Sequence, residues 1–322
     1  MQMQKNKTAM TNSKALLFSR KTRKKGFVLV SVLMLGVLLI SCATAFTWFV
    51  RMQVRTIGRE RINISSRSMA HVLTNSVMSM LYEISQHFNY DSPLQRWYKP
   101  FVLPLGDELG IWVVQITPLD DKIPLRSLFL PDGNTLRREF SDVWESMWDK
   151  LHHRECEMLV LDFLDRNARA RVGSKEENYF INRGPFDMSE LLMLSRDIPS
   201  GVIYGSGNNM GLSDYCTIYS EGRINLNVAP LHVMELLPGL DTGLASRIEQ
   251  VRKEEPLEAL EDVQKIPGAS GRTASLLTNI AAFHSRYFML NIQSLNGSGE
   301  GGTSFNIIFD RTTRQIVRWE EI

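Results

Sequence analysis

The chain has 322 residues, with 37 Lys or Arg against 35 Asp or Glu and three cysteines. Charge is unevenly placed: eight of the basic residues and none of the acidic ones lie in residues 1–26, so the remainder carries a net charge of −6. The sequence pI of 8.4 therefore reflects the first 26 residues alone, and the acidic body excludes a general nucleic-acid footprint.

The basic run Arg23-Lys24-Lys25 ends in Gly26, and Phe27 then opens 24 residues without a charge, as far as Val50. At ~1.5 Å per residue this stretch reaches ~36 Å, enough to cross a ~30 Å hydrocarbon core with some tilt. A secretory signal peptide with Ala43-Thr44-Ala45 as its cleavage site is one alternative, and a lipoprotein signal at Leu39-Ile40-Ser41-Cys42 is another. A plain, unprocessed anchor is the third. Phe46, Trp48, Phe49 and Val50 carry the apolar run past both signal-type sites, and signal cores are typically ~7–15 residues. Arg51, Arg55 and Arg59 then continue a helical period, and the pattern extends through Leu73 and Val77 to about Phe88. A glycine between lysines and an apolar helix is where a prepilin peptidase cuts, so this segment resembles the N-terminus of type IV pilins. The basic excess before Phe27 places the N-terminus in the cytoplasm and everything beyond about Arg51 in the periplasm. In that oxidising setting Cys156 and Cys216 could form a bridge or remain as two buried thiols, while Cys42 packs within the apolar helix.

About 270 residues follow the apolar segment, room for one large domain or two small ones. Pro93 and Pro100–Pro104 end the long helix. Residues 109–117 read as a strand rich in β-branched and aromatic side chains. From Glu139 to Asn167 the apolar positions recur at three or four, which gives one or two helices. Asp187-Met188-Ser189-Glu190 caps a short helix, 201–211 with four glycines is a loop, and Tyr215–Tyr219 is a strand. Residues 229–284 are helical with Pro-Gly breaks. Strands at 287–292, 305–309 and 315–319 close the chain, with 297–302 as a mobile loop between the first two. The expected architecture is α+β. Its parts are a leader (1–26), a transmembrane helix (27–50), the periplasmic half of that helix (51–90), a first sheet part (91–124), an inserted helical subdomain (125–283) and C-terminal strands (284–322).

Leu237-Pro238-Gly239-Leu240-Asp241 and Ile266-Pro267-Gly268-Ala269-Ser270 resemble a tandem helix-hairpin-helix. The DNA-gripping form presents glycine amides to phosphate and carries a second glycine two residues after the first. Asp241 and Ser270 stand there instead, and residues 236–283 hold five basic against seven acidic side chains, so a scaffold or protein-contact role is expected. His152-His153 with Cys156 lie in a charged stretch and lack a fourth metal partner, and no catalytic constellation is recognisable; an enzyme is not expected.

The stretch Gly222-Arg223-Ile224-Asn225-Leu226-Asn227-Val228-Ala229-Pro230, followed by Leu237-Pro238-Gly239-Leu240, resembles the signature of the general secretion pathway protein K family, the largest minor pseudopilins of type II secretion systems. Asp121–Leu125, Leu161–Asn167 and the ending from Ser285 to Trp319 also fit. The resemblance implies a pilin-like fold, cleavage after Gly26 and N-methylation of Phe27. It also implies partnership with other minor pseudopilins, the major pseudopilin, the inner-membrane assembly platform and the prepilin peptidase. Most pilins carry glutamate as fifth mature residue; here Ser31 stands there. A buried glutamate needs a partner amine, and a subunit with none ahead of it has no such partner, so Ser31 fits a tip position; it also fits a degenerate pilin that has lost assembly. A minor component of a type IV pilus or a competence DNA-uptake machine is the alternative. Calcium is further implied around Asp165, Asn167, Glu176 and Glu177, although Lys175 stands where the family tends to be acidic and Asn167 replaces an aspartate.

Overall fold

The computed structural model describes residues 5–105, 110–295 and 301–322, with side chains from Phe27 onward except at positions 59 and 301. It divides into two units, residues 1–65 and 66–322. One helix, α1 (Lys5–His87), contributes nearly all of the first unit and the opening segment of the second. Within the first unit the apolar side chains from Phe27 to Ile64 are exposed, and the helix is long and apolar enough to cross a membrane. Its hydroxyls are satisfied locally: Ser41 Oγ donates to Val37 O at 2.8 Å and Thr47 Oγ1 to Ala43 O at 2.7 Å.

In the second unit, residues 70, 77, 78 and 81 of α1 are buried on one face, the spacing a helix needs to cover a sheet. The sheet has five strands in the order β1-β2-β7-β8-β9 and is antiparallel throughout. They are β1 (Phe101–Pro104), β2 (Ile111–Pro118), β7 (Tyr287–Leu295), β8 (Gly301–Asp310) and β9 (Gln315–Glu321). Strict alternation sends Trp112, Val114 and Ile116 of β2 inward. Register then places Val114 beside Ile292, Ile116 beside Leu290, and Phe288 beside Phe309, so one face is a continuous apolar layer against α1. Of the expected loop 297–302, residues 297–300 lie outside the described residues, whereas Gly301 and Gly302 already belong to β8.

Between β2 and β7 the chain builds an inserted, mostly helical layer with its own core. Its elements are β3 (Ile123–Pro124), α2 (Arg138–Leu151), α3 (Glu157–Leu164), α4 (Ser200–Tyr204), α5 (Leu212–Tyr215), β4 (Cys216–Thr217), β5 (Ile224–Asn225), α6 (Leu231–Met234), α7 (Thr242–Glu254), α8 (Leu260–Lys265), α9 (Gly271–Leu277) and β6 (Ala281–Ala282). On α2 the buried positions Phe140, Val143, Trp144, Met147, Trp148 and Leu151 follow the three-four spacing, and the two tryptophans meet edge to face at 5.8 Å. β3 pairs parallel with β4 and so belongs to this layer.

Several local expectations change. Residues 188–196 form a 3₁₀ segment, with Asp187 accepting from Ser189 N at 2.7 Å. The glycine-rich stretch 201–211 holds the short helix α4, because Val202 and Ile203 bury there, before turning at Gly205. The strand at 215–219 shrinks to Cys216–Thr217, as Tyr215 ends α5.

Candidate assembly and cation sites

Three regions carry the candidate residues. The first is the start of the apolar helix, where Gly26, Phe27 and Ser31 all lie within α1. Ser31 Oγ donates to Phe27 O at 2.9 Å. That acceptor stays in place if the bond before Phe27 is cut, because cleavage converts only the Phe27 nitrogen to an amine. The Ser31 hydroxyl is thus satisfied within its own helix.

The second region is the joint between sheet and insertion, where the asparagines of the Gly222–Pro230 signature are structural. Asn225 Nδ2 donates to Ser285 Oγ at 2.9 Å, and Asn225 N donates to Asp120 O at 2.7 Å. Asn227 Nδ2 donates to Leu257 O at 2.8 Å while its Oδ1 accepts from Leu257 N at 2.9 Å, pinning the loop before α8. Both are fully buried, so each amide answers a backbone group that water cannot reach. Two carboxylates complete the joint. Asp120 accepts from the backbone N–H groups of Glu221, Arg286 and Tyr287 at 2.7–2.9 Å. Burial still pushes its pKa up against these donors. Asp91 accepts from Ser285 N at 2.6 Å and pairs with Arg311 Nη1 at 2.8 Å, both side chains buried. Beside them, burial raises Asp121 to about 6.

The third region is the loop after α3. Asp162, in the last turn of α3, and Asp165, just beyond it, have fully buried carboxylates at a helix C-terminus, where the carbonyl dipoles already repel negative charge. Arg171 answers both. Its Nη1 lies 2.6 Å from Asp162 Oδ1 and against Asp165 Oδ2, its Nη2 donates to Asn134 O at 2.8 Å, and its backbone N–H donates to Asp162 Oδ2 at 2.9 Å. Asn167 Nδ2 donates to Asp165 Oδ2 and to Asn134 Oδ1, both at 3.1 Å. Glu176 Oε1 accepts from Asn182 Nδ2 at 3.1 Å. Glu177 turns away to Lys175 at 3.0 Å, and Lys175 also pairs with Asp197.

Of the four residues expected to hold calcium, Asp165 and Asn167 thus meet each other, but Asn167 turns its amide donor inward, and Glu177 joins a different ion pair. Calcium takes 6–8 oxygen ligands at 2.3–2.6 Å, and the guanidinium stands among those the loop could offer. Among the described residues no three carboxylates of this passage bring their oxygens within 4.8 Å of one another. The donor set as built does not fit a calcium ion. Asp165 Oδ1, Glu176 Oε2 and Asn182 Oδ1 are buried without a partner. Burial raises the pKa values of Asp165 and Glu176. The sequence reading missed Asp162, Arg171 and Asn134; the three-residue spacing of Asp162 and Asp165 across a helix end was the available signal.

Cys156 and Cys216 are both buried free thiols, so no bridge joins them. Burial pushes Cys156 to about 11 and Cys216 higher still, and Cys216 Sγ lies 3.6 Å from Met147 Sδ, so both behave as small apolar fillers. His153, Glu155 and Cys156 do gather their donor atoms within 4.8 Å, with His153 Nδ1 3.0 Å from Glu155 Oε1. The glutamate was not part of the sequence reading.

The two hairpins form as expected, with Gly239 and Gly268 in the left-handed region at φ 81° and 94°. A Cβ on Gly239 would approach Leu276 Cδ1 at 3.2 Å and Thr273 Cα at 3.4 Å, so the first hairpin packs on α9 of the second. Asp241 accepts from Leu244 N at 2.6 Å, and Ser270 Oγ accepts from Thr273 N at 3.3 Å. The helix N-termini that a phosphate would use are capped by the protein's own side chains.

No protein-family model matches the chain, and no curated protein matches it. A solved structure does: a chain of the GspK-GspI-GspJ complex of the type 2 secretion system from enterotoxigenic Escherichia coli, with a TM-score of 0.58 and 14% identity. The alignment covers 84% of this chain and 99% of that one. At that identity the likeness is one of fold: a pilin-like α+β fold, of the kind seen in type II secretion pseudopilins, in which a long N-terminal helix accompanies an antiparallel sheet.

Proposed function

We propose that this chain is a minor pseudopilin of a type II secretion system, placed at the tip of the pseudopilus, where it initiates or caps assembly and supports protein export. The observation that carries this reading is the fold, a pilin-like sheet and helix interrupted by a large helical layer, joined to an apolar N-terminal helix whose fifth residue after Gly26 is satisfied internally. A shaft subunit must fit a neighbour above and below, and a bulky insertion obstructs one of those contacts; a terminal subunit has no such conflict. On this reading the prepilin peptidase cuts after Gly26, Phe27 is N-methylated, and the chain is a single-pass inner-membrane protein with residues beyond about Arg51 in the periplasm. Its partners are other minor pseudopilins, the major pseudopilin and the assembly platform. An open apolar cleft lined by Met80, Ile84, Phe88, Trp97 and Phe101 suits a neighbouring subunit's apolar side chains. The role is structural, without catalysis.

Two measurements test it. Mass spectrometry of the mature N-terminus should find methylated Phe27, and a Gly26 substitution should block processing while leaving membrane insertion intact. A lipidated Cys42 or a start at Phe46 overturns the pilin reading. Quantification in isolated filaments should give about one copy per filament, and deletion should reduce secretion; recovery at regular intervals along filaments overturns the tip position.

A further inference from the structure

We propose that Arg171 is a built-in cation that replaces a divalent metal in the loop after α3, so that this part of the insertion holds its shape without calcium. The inference is independent of whether the chain caps a pseudopilus. It rests on the arrangement around one side chain. The Asp162 and Asp165 carboxylates are 0% and 1% exposed, sit at the negative end of α3, and share one guanidinium nitrogen. A buried carboxylate pair in that position needs positive charge, from whatever source.

The guanidinium does more than neutralise. Through Nη2 it reaches the carbonyl of Asn134, and its charged plane lies 5.6 Å from the ring centre of Phe129, so it ties residues 129–134 to residues 162–171. Cross-linking two oxygen-rich loops is what a bound calcium does through carboxylate and carbonyl ligands. A planar fork can do the same for two acceptors at once, and it cannot dissociate. The chain immediately around it is shaped to match. Arg166 N donates to Gly133 O at 3.0 Å and to Asn134 Oδ1 at 3.2 Å, and Gly133, at φ 76°, leaves no room for a Cβ beside the Arg166 side chain. Lys175 and Glu177 complete the departure from a metal loop by pairing with each other, with Asp197 as the second partner of Lys175.

The test is thermal unfolding of the full chain in detergent micelles, with calcium chloride, magnesium chloride or a chelator, followed by the tryptophans. The wild type should unfold at the same temperature in all three. A calcium-specific rise in wild-type Tm overturns the proposal. Arg171→Gln should lower Tm by roughly 5–15 °C, as expected for breaking a buried pair from one side, and millimolar calcium should restore part of the loss. An unchanged Tm, or a loss that calcium does not touch, overturns it. If Arg171→Gln does not fold, the double variant Asp162→Asn/Arg171→Gln, which removes a charge of each sign, should fold and unfold at a higher temperature than the single one. A double variant no better than the single one overturns the proposal as well.

Discussion

At the scale of single residues, the joint between sheet and insertion rests on buried charge and amide groups rather than on apolar contact alone. Asp91 is the clearest case. Its carboxylate holds Ser285 N on one side and Arg311 on the other, out of water. Asp91→Asn leaves the Arg311 guanidinium buried and unpaired, and the expected loss is about 3–5 kcal/mol, read by chemical denaturation of the full chain in detergent. Asp121, next to that joint, should behave in the opposite way. Its carboxyl is raised by burial to about 6, so the folded state holds its proton more tightly than the unfolded chain does. Above pH 6 both states are ionised and the full desolvation cost stands; between about pH 6 and pH 4 the folded state gains relative to the unfolded one. Asp121→Asn should therefore stabilise the protein by about 1–2 kcal/mol at pH 8, with the advantage shrinking through that window. A difference that stays constant from pH 8 to pH 4.5 would show that burial does not perturb this carboxyl.

At the scale of elements, the hairpins and α1 are the informative ones. The hairpins keep the left-handed glycines that the turn requires, but their helix N-termini are occupied by Asp241 and Ser270. Phosphate cannot displace a tethered carboxylate without facing its charge. The full chain in detergent is expected to show no salt-dependent binding to duplex DNA at micromolar concentration; a linear fall of log affinity with log salt would contradict this. In α1, the question is Ser31, the fifth residue of the mature chain if the prepilin peptidase cuts after Gly26 as proposed. Ser31→Glu puts a carboxyl where the wild type has a hydroxyl bonded to Phe27 O. Insertion of a carboxyl near the middle of a span costs about 2.5–3.5 kcal/mol on translocon scales, less near its end. In a tip subunit that cost finds no compensating amine, so the variant should insert less efficiently and rescue secretion no better than wild type. Improved incorporation into filaments would instead mark the chain as a shaft subunit.

At the scale of the whole molecule, the sequence determined the parts that depend on local pattern. The apolar run from Phe27, 24 residues without a charge, set a helix long and apolar enough to cross a membrane. Alternation around Trp112, Val114 and Ile116 set β2, and three-four spacing set α2. The order of motifs pointed to the pilin-like fold later seen in the structural likeness. Tertiary structure decided what depends on distance between residues far apart in the chain. Asn225 and Asn227 read as signature letters, yet their role emerges only when Ser285 and Leu257 come within reach. Cys156 and Cys216 were open to a bridge by compartment alone, and packing settled each as a separate buried thiol. The resemblance implied calcium around Asp165, Asn167, Glu176 and Glu177, but sequence records side-chain types and not their direction. Backbone geometry turned Glu177 toward Lys175 and brought Arg171 onto Asp162 and Asp165. Periodicity fixes which face a side chain takes, but only the folded chain determines which distant group it meets there.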